Sequence, residues 1–181
     1  LGTAYMDSIP LVAITGQVSS DLLGRDVFQE ADMTGASEPF TKYNYLVKSI
    51  EELPFIIREA FSIAMDGRKG PVLIDIPKNI FTVKGSYVEK SSTEAEKELS
   101  LVSEDLLWEA AKTIDTSEKP VIYAGGGVIH AGAESELLNL AEKASIPVAN
   151  TLMSLGCFPM NHALSLGLVG MHGHKETNLA V

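Results

Sequence analysis

The sequence predicts an α/β fold made of parallel-sheet, three-layer domains. Short apolar runs recur along the chain, and such runs are typical of strands buried on both faces of a sheet. Segments with apolar residues at helical spacing lie between them. Glycine-rich turns separate the two kinds of segment. Together these three observations predict strand–helix–strand units in which the strands run parallel.

The first unit begins with two predicted strands followed by a helix. Leu11–Thr15 is a mostly apolar run that ends at Gly16, and Tyr45–Val47 is a second, shorter candidate. Ser49–Glu52 matches a capping box, with a hydroxyl at the N-cap and a carboxylate three residues later, and so predicts a helix start. Apolar residues at helical spacing follow at Leu53, Ile56, Ile57, Ala60, Phe61 and Ala64.

The segment Gly67–Lys78 closes this unit. Gly67 is a typical helix stop, and Val72–Ile76 is the next predicted strand after the turn at Pro71. Lys78 follows that strand, at the end where open α/β sheets place their ligands.

Another polar group follows the first strand, and its members are Gln17, Asp26, Gln29 and Glu30, with Phe28 among them. Because Lys78 and this polar group both follow the carboxyl ends of strands, they can converge on one cleft. A lysine beside a glutamine and a phenylalanine can bind a small carboxylate substrate. The alternative is a solvated lysine after a proline.

Residues 84–103 differ in composition from what precedes them. They are rich in serine and glutamate and hold few large apolar residues, so they indicate an extended linker. A surface helix over residues 94–99 is the alternative.

A second unit begins at Ser103 with a helix whose apolar stripe is Leu106, Leu107, Ala110, Ala111 and Ile114. Val121–Ala124 is the next predicted strand. A helix with the stripe Leu137, Leu138, Ala141 and Ala144 leads to a further strand at Ile146–Ala149. The pattern is again that of a doubly wound domain.

Glycine-flanked loops follow the strands of this unit. Gly125, Gly126 and Gly127 allow backbone N–H groups to face an anion, although a tight turn that needs positive φ explains them equally well. Their spacing does not fit the dinucleotide fingerprint. Thr151–Gly156 and Gly170–His174 are two further loops, and without neighbouring carboxylates or cysteines their histidines do not predict a metal site.

Composition limits the function classes. The 181 residues fit one domain or parts of two, and 45% hydrophobic with 21% charged content is typical of a globular soluble chain. A net charge of −10 argues against a nucleic acid partner. No apolar run approaches the roughly 18 residues of a membrane helix. The single Cys157 excludes an internal disulfide and is predicted to be buried. Since the chain begins at Leu1 and stops within a predicted helix, we expect a piece of a longer protein.

Several segments carry a resemblance to a known family. They are Gly2–Pro10 (GTAYMDSIP), Ile14–Val18 (ITGQV), Asp26–Asp32 (DVFQEAD), Gly67–Lys78 (GRKGPVLIDIPK), Tyr123–Gly127 (YAGGG), Thr151–Met153 (TLM) and Gly167–Gly173 (GLVGMHG). In this order they closely resemble the catalytic subunit of acetolactate synthase, a thiamine-diphosphate-dependent enzyme. The resemblance covers essentially the whole chain.

The resemblance implies a domain order and an activity. Residues 1–84 would be the C-terminal half of a pyrimidine-binding domain, residues 85–103 a linker, and residues 104–181 the start of a Rossmann-like central domain that binds FAD. The parent enzyme would decarboxylate pyruvate on thiamine diphosphate and join the hydroxyethyl unit to a second 2-keto acid, in branched-chain amino-acid biosynthesis. Mg²⁺ would be required, and FAD would have no redox role in the net reaction.

The resemblance also implies partners and a compartment. It implies a homo-oligomer with a regulatory small subunit and no nucleic acid or membrane partner. We expect the cytoplasm of a bacterium, or an organelle in a eukaryote.

Site residues follow from the resemblance as well. Phe28, Gln29 and Lys78 match catalytic positions that line the substrate channel, together with Met171. The positions that match FAD contacts are Arg68, Gly125, Gly126, Gly127, Thr151, Leu152, His172 and Gly173. No residue of the chain matches a metal ligand.

Two parts of the family's machinery are expected outside this chain. They are the glutamate that activates the aminopyrimidine, upstream of Leu1, and the Gly-Asp-Gly motif of a third domain. The piece alone is therefore expected to be inactive. Two alternatives stay open: another thiamine-diphosphate-dependent carboligase or decarboxylase of the same fold, and a non-catalytic nucleotide-binding module.

Overall fold

A computed structural model describes residues 1–87 and 102–181. The chain divides into two compact units, Leu1–Glu94 and Ala95–Val181. Each unit contains a parallel sheet with helices, which confirms the α/β prediction. Residues 88–101 of the predicted linker, and the alternative helix at 94–99, lie outside the described residues.

The first unit is built around a parallel sheet with the strand order β1-β3-β2. Its elements are α1 (Gly2–Met6), β1 (Leu11–Gln17), α2 (Met33–Ser37), β2 (Tyr43–Leu46), α3 (Leu53–Met65), β3 (Pro71–Pro77) and α4 (Lys78–Thr82). Every residue of β3 is buried, because β3 has a strand on each side and helix α3 packed against it. The continuous apolar run that predicted this strand reflects that position.

Helix α3 begins at Leu53, so the predicted start at Ser49 is wrong. The carboxylate of Glu52 accepts hydrogen bonds from the backbone N–H of Ser49 at 3.0 Å and from that of Lys48, as in half of a capping box. A helix that began near Ser49 would place Pro54 beyond its first turn, where proline lacks the required N–H and clashes with a carbonyl. Pro54 instead lies in the first turn of α3.

The second unit has a parallel sheet with the order β4-β5-β6. Its elements are α5 (Glu104–Asp115), β4 (Ile122–Ala124), α6 (Gly127–Ala131), α7 (Glu134–Ala144), β5 (Val148–Asn150), β6 (Ser165–Leu168) and α8 (Lys175–Ala180). The sequence did not predict β6. This strand has the sequence SLGL, in which a serine and a glycine alternate with leucine, so no apolar run indicates it.

Packing in this unit matches some of the sequence expectations. Cys157 is buried as predicted, and burial raises the pKa of its thiol. Helix α5 forms as predicted, and the Ser103 hydroxyl caps it by accepting a hydrogen bond from the Leu106 N–H at 3.3 Å. Its apolar stripe is nevertheless more than half exposed at Leu106 and Leu107 in the described part of the chain.

Candidate functional site

A pocket of about 350 Å³ opens at the carboxyl ends of β1 and β3 in the first unit. It is lined by Gly16, Gln17, Val18, Ser19, Leu22, Gln29 and Lys78. Gln29 and Lys78, two of the three residues predicted to be catalytic, therefore share one pocket. Phe28 is absent from the lining, and its side chain is 90% exposed.

The Phe28 loop, residues 23–32, presents Gln29 to this pocket. Asp26 and Gln29 both have left-handed backbone conformations, with φ of +55° and +66°. Such conformations are uncommon outside glycine and persist only where the surroundings hold them. The loop is therefore a shaped element and needs specific contacts to keep its form.

Contacts within the loop come from Glu30. Its carboxylate accepts hydrogen bonds from the backbone N–H of Gly24 and, at 3.2 Å, from that of Val27. The bond from Gly24 is the main cause that lowers the pKa of Glu30 below its usual value. Immediately after Glu30, Asp32 caps α2 by accepting from the Gly35 N–H at 2.8 Å, which lowers the pKa of Asp32.

A buried carboxylate lies in the sheet behind this pocket. Asp75 on β3 is 1% exposed. Its two oxygens accept hydrogen bonds from the Thr15 hydroxyl at 2.7 Å and from the Gln17 side-chain amide at 2.9 Å. Sequence reasoning missed Asp75, although a charged residue inside the apolar run Val72–Ile76 was a visible signal.

In the second unit, three loops leave the same edge of the sheet. Gly125–Gly127 follows β4, Thr151 and Leu152 follow β5, and Gly170–Gly173 comes shortly after β6. Since these strands are parallel neighbours, their carboxyl ends lie side by side. The loops that carry the predicted FAD contacts of this unit are thus brought to one edge, where open α/β sheets bind ligands.

The glycines in these loops have different structural reasons. A Cβ on Gly173 would meet the carbonyl oxygen of Leu168 and lie 2.8 Å from backbone atoms of Val169, and one on Gly126 would lie 3.1 Å from the Met153 carbonyl oxygen. A Cβ on Gly125 or Gly127 would meet nothing within 4 Å among the described residues.

The conformations of these glycines settle one alternative. No member of the Gly125–Gly127 triplet has positive φ, so the tight-turn interpretation of the triplet is wrong. The left-handed glycine of this segment is Gly132, at φ +64°, which ends α6.

Side chains around this edge are open to solvent. The exposed fraction is 65% for Leu152 and 92% for Met171, and His172 is exposed as well. Beneath the loops, Asn150 at the end of β5 is fully buried, and its Nδ2 has no hydrogen-bond partner among the described residues.

Arg68, the remaining predicted FAD contact, lies in the first unit. Its Nε donates to the Ser8 hydroxyl at 2.9 Å and its guanidinium lies 6.0 Å from the centre of the Tyr5 ring. These contacts connect the turn before β3 with α1 and with the residues just after it. Arg68 therefore has a hydrogen-bond partner and an aromatic partner within its own unit.

Within residues 1–87 and 102–181, no group of three or more His, Cys, Asp or Glu side chains is arranged to hold a metal ion. No helix in the same ranges is long and apolar enough to cross a membrane.

Sequence comparison with known proteins identifies the family of this chain. Residues 107–181 match the family model described as thiamine pyrophosphate enzyme, central domain. The chain is 50% identical to a probable acetolactate synthase large subunit of Methanocaldococcus jannaschii, over 100% of the chain and 32% of the relative. It is 49% identical to the acetolactate synthase isozyme 1 large subunit of Escherichia coli K12, over 98% of the chain and 31% of the relative.

A relative from Corynebacterium glutamicum, named acetolactate synthase large subunit, is 46% identical over 96% of the chain and 28% of the relative. The chain thus spans about a third of the length of the curated relatives it matches. The alignments cover almost every residue of both units at this level of identity. This shows that the chain belongs to the acetolactate synthase large-subunit family of thiamine pyrophosphate enzymes.

Proposed function

We propose that this chain is a segment of an acetolactate synthase, and that the whole protein decarboxylates pyruvate and joins the resulting two-carbon unit to a second 2-keto acid. The observation that carries the proposal is the 46–50% identity to acetolactate synthase large subunits across both units. The chain would contribute residues 1–84 to a pyrimidine-binding domain and residues 104–181 to the central domain.

The pocket of the first unit supports a role in handling keto acids. Both substrates of the proposed reaction carry a carboxylate. Lys78 brings a positive charge to the pocket lining, and Gln29 brings amide donors and an acceptor. We propose that these two side chains orient the carboxylate and carbonyl of a keto acid, while the exposed ring of Phe28 covers its apolar part.

The second unit fits a flat ligand such as FAD. Nothing in the described structure requires glycine at Gly125 or Gly127, because both have ordinary φ and open space at the Cβ position. Glycine at such positions leaves the backbone open to close approach by a ligand. We propose that the Gly125–Gly127, Thr151–Leu152 and His172–Gly173 loops hold FAD, with Met171 in the substrate channel.

Other parts of the proposed machinery lie beyond these pockets. Thiamine diphosphate, when bound, supplies the carbanion chemistry of decarboxylation. We propose that Mg²⁺ is bound by the rest of the protein, outside this chain. The naming of the relatives as large subunits supports a regulatory small subunit as partner. We also propose a homo-oligomer in the cytoplasm.

The test is turnover by the full-length protein. With thiamine diphosphate and Mg²⁺, it should convert pyruvate to acetolactate, measured after acid conversion to acetoin. Other 2-keto acids offered in competition with pyruvate report its second substrate. A folded full-length protein that consumes a different keto acid and forms no acetolactate would indicate another carboligase or decarboxylase of this fold.

Gly125→Ala and Gly127→Ala test the flavin loops. Compared without bound flavin, the thermal midpoint of each full-length variant should stay within a few degrees of that of wild type, because the new methyl meets no described atom. Flavin absorbance per protein should fall at least severalfold after purification, because the methyl occupies the face left open to the ligand. Unchanged flavin content in both variants would contradict the assignment.

Arg68→Ala separates flavin binding from the contacts seen in the first unit. If Arg68 contacts FAD in the whole protein, flavin retention should fall while Ser8→Ala, which removes only the partner of its Nε, leaves flavin retention intact. Equal flavin content in wild type and Arg68→Ala would assign Arg68 to holding the N-terminal segment alone.

A further inference from the structure

We propose that Gln17 is a positioning residue, which ties the Phe28 loop to the buried carboxylate of Asp75 and thereby places Gln29 in the pocket beside Lys78. The kinetic part of this inference rests on the proposed function.

The side-chain amide of Gln17 has three hydrogen-bond partners. Its Nε2 donates to the Asp75 carboxylate at 2.9 Å and to the carbonyl oxygen of Ala31 at 2.6 Å. Its Oε1 accepts from the Val18 N–H at 2.9 Å. Both amide hydrogens are used, and each partner of Nε2 is an acceptor only, so the orientation of the amide is fixed.

Asp75 anchors Gln17 to the central strand of the sheet. Asp75 lies on the central strand β3, is 1% exposed, and forms no ion pair with a described Lys or Arg. A buried carboxylate without a cation depends on its hydrogen-bond donors, which here are the side chains of Thr15 and Gln17 on the neighbouring strand. The register that pairs Thr15 with Asp75 and Gln17 with Pro77 sets both donors at the carboxylate. Asp75 is therefore a rigid reference point for Gln17.

Gln17 also connects the sheet to the Phe28 loop. Ala31 is two residues from Gln29, and Gln29 has φ +66°, a conformation that its surroundings must hold. The hydrogen bonds that Glu30 accepts from Gly24 and Val27 lie within the loop, so they do not fix the loop against the sheet. The bond from Gln17 to Ala31 crosses from the sheet to the loop, and Gln17 and Gln29 line the same pocket. Loss of this bond should let Gln29 drift from Lys78.

Thr15→Val is the matched control for Gln17→Met. Each variant keeps the side-chain size and removes one donor from the same Asp75 carboxylate, but Gln17 alone of the two contacts the loop. A role limited to satisfying Asp75 predicts equal effects for the two variants. Gln17→Asn, which is one methylene too short to reach both partners, is a milder second variant if Gln17→Met does not fold.

The first measurement is limited trypsin digestion of the full-length protein. Arg25 is exposed within the Phe28 loop, and Arg58 on α3 provides an internal reference for cleavage. Cleavage after Arg25, followed by mass spectrometry, should be about tenfold faster in Gln17→Met than in wild type and unchanged in Thr15→Val. Equal cleavage rates in the two variants would overturn the inference whether or not the protein makes acetolactate.

The second measurement is a kinetic double-mutant cycle with Gln29→Ala. Gln17→Met should lower kcat/KM for pyruvate by about 10- to 100-fold, as expected for a misplaced contact group, whereas Thr15→Val should change it less than threefold. If Gln17 acts through Gln29, adding Gln17→Met to Gln29→Ala should cost little more. Full additivity would overturn the inference. A wild-type protein without acetolactate synthesis would refute the proposed function, while the digestion would still decide whether Gln17 holds the loop.

Discussion

Gly173→Ala should destabilise the second unit by about 3 kcal/mol, in the upper part of the range for overpacked sites. The new methyl would collide with the Leu168 carbonyl oxygen and lie 2.8 Å from backbone atoms of Val169. Backbone atoms cannot rotate away as a side chain can, so the loop after β6 must move. The hydrogen bond from the His174 N–H to the Leu168 carbonyl oxygen, at 3.1 Å, would be strained by that movement.

The measurement is thermal or urea unfolding of the flavin-free full-length protein, followed by circular dichroism, with Gly125→Ala as the matched control. Both variants add one methyl to a loop at the same sheet edge, and neither glycine has positive φ. We expect a midpoint lowered by on the order of 10 °C for Gly173→Ala and almost no change for Gly125→Ala. Equal midpoints for the two variants would show that the close approach at Gly173 is relieved at no cost.

Lys78→Ala should lower kcat/KM of the full-length enzyme for its keto acid substrates by about 10- to 100-fold, because a hydrogen bond to a charged group contributes roughly 1.5–3 kcal/mol. Lys78 is exposed at the first residue of α4 and lines the pocket with Gln29. Its side chain supports no described core contact, so the stability of the protein should hardly change. We expect the use of the second keto acid to weaken most.

Lys84→Ala is the control for this prediction. Lys84 is also exposed, carries the same charge a few residues further along the chain, and is not among the residues that line the pocket. Product ratios from pyruvate offered with a competing 2-keto acid, and KM for each substrate, compare the two variants. A Lys78→Ala enzyme with an unchanged KM and product ratio would remove Lys78 from the substrate site.

The sequence by itself determined the parallel α/β architecture. The run Val72–Ile76 is almost entirely apolar because β3 has a strand on each side and a helix against it. The residue types of this run therefore reveal its burial directly. Helix α7 and the buried Cys157 follow from equally local signals. Family membership was also legible, since several motifs occur in one order along the chain.

Other features required the tertiary structure, because they depend on contacts between distant residues. The helix start at Leu53 is not one of them, because a local signal, Pro54, sets it in place of the capping box at Ser49–Glu52. The glycines of these loops look alike in the sequence, but only the fold shows that a Cβ on Gly126 or Gly173 would meet neighbouring backbone, whereas one on Gly125 or Gly127 would not.

The hydrogen bonds to Asp75 behind the Phe28 loop also could not be predicted from the sequence. Gln17 and Thr15 reach Asp75 across 58 and 60 residues of sequence, through the register of two parallel strands. Residue type showed only that a carboxylate interrupts an apolar run. The strand register determines which donors satisfy that carboxylate and which loop they hold, because parallel strands bring distant residues to the same height in the sheet.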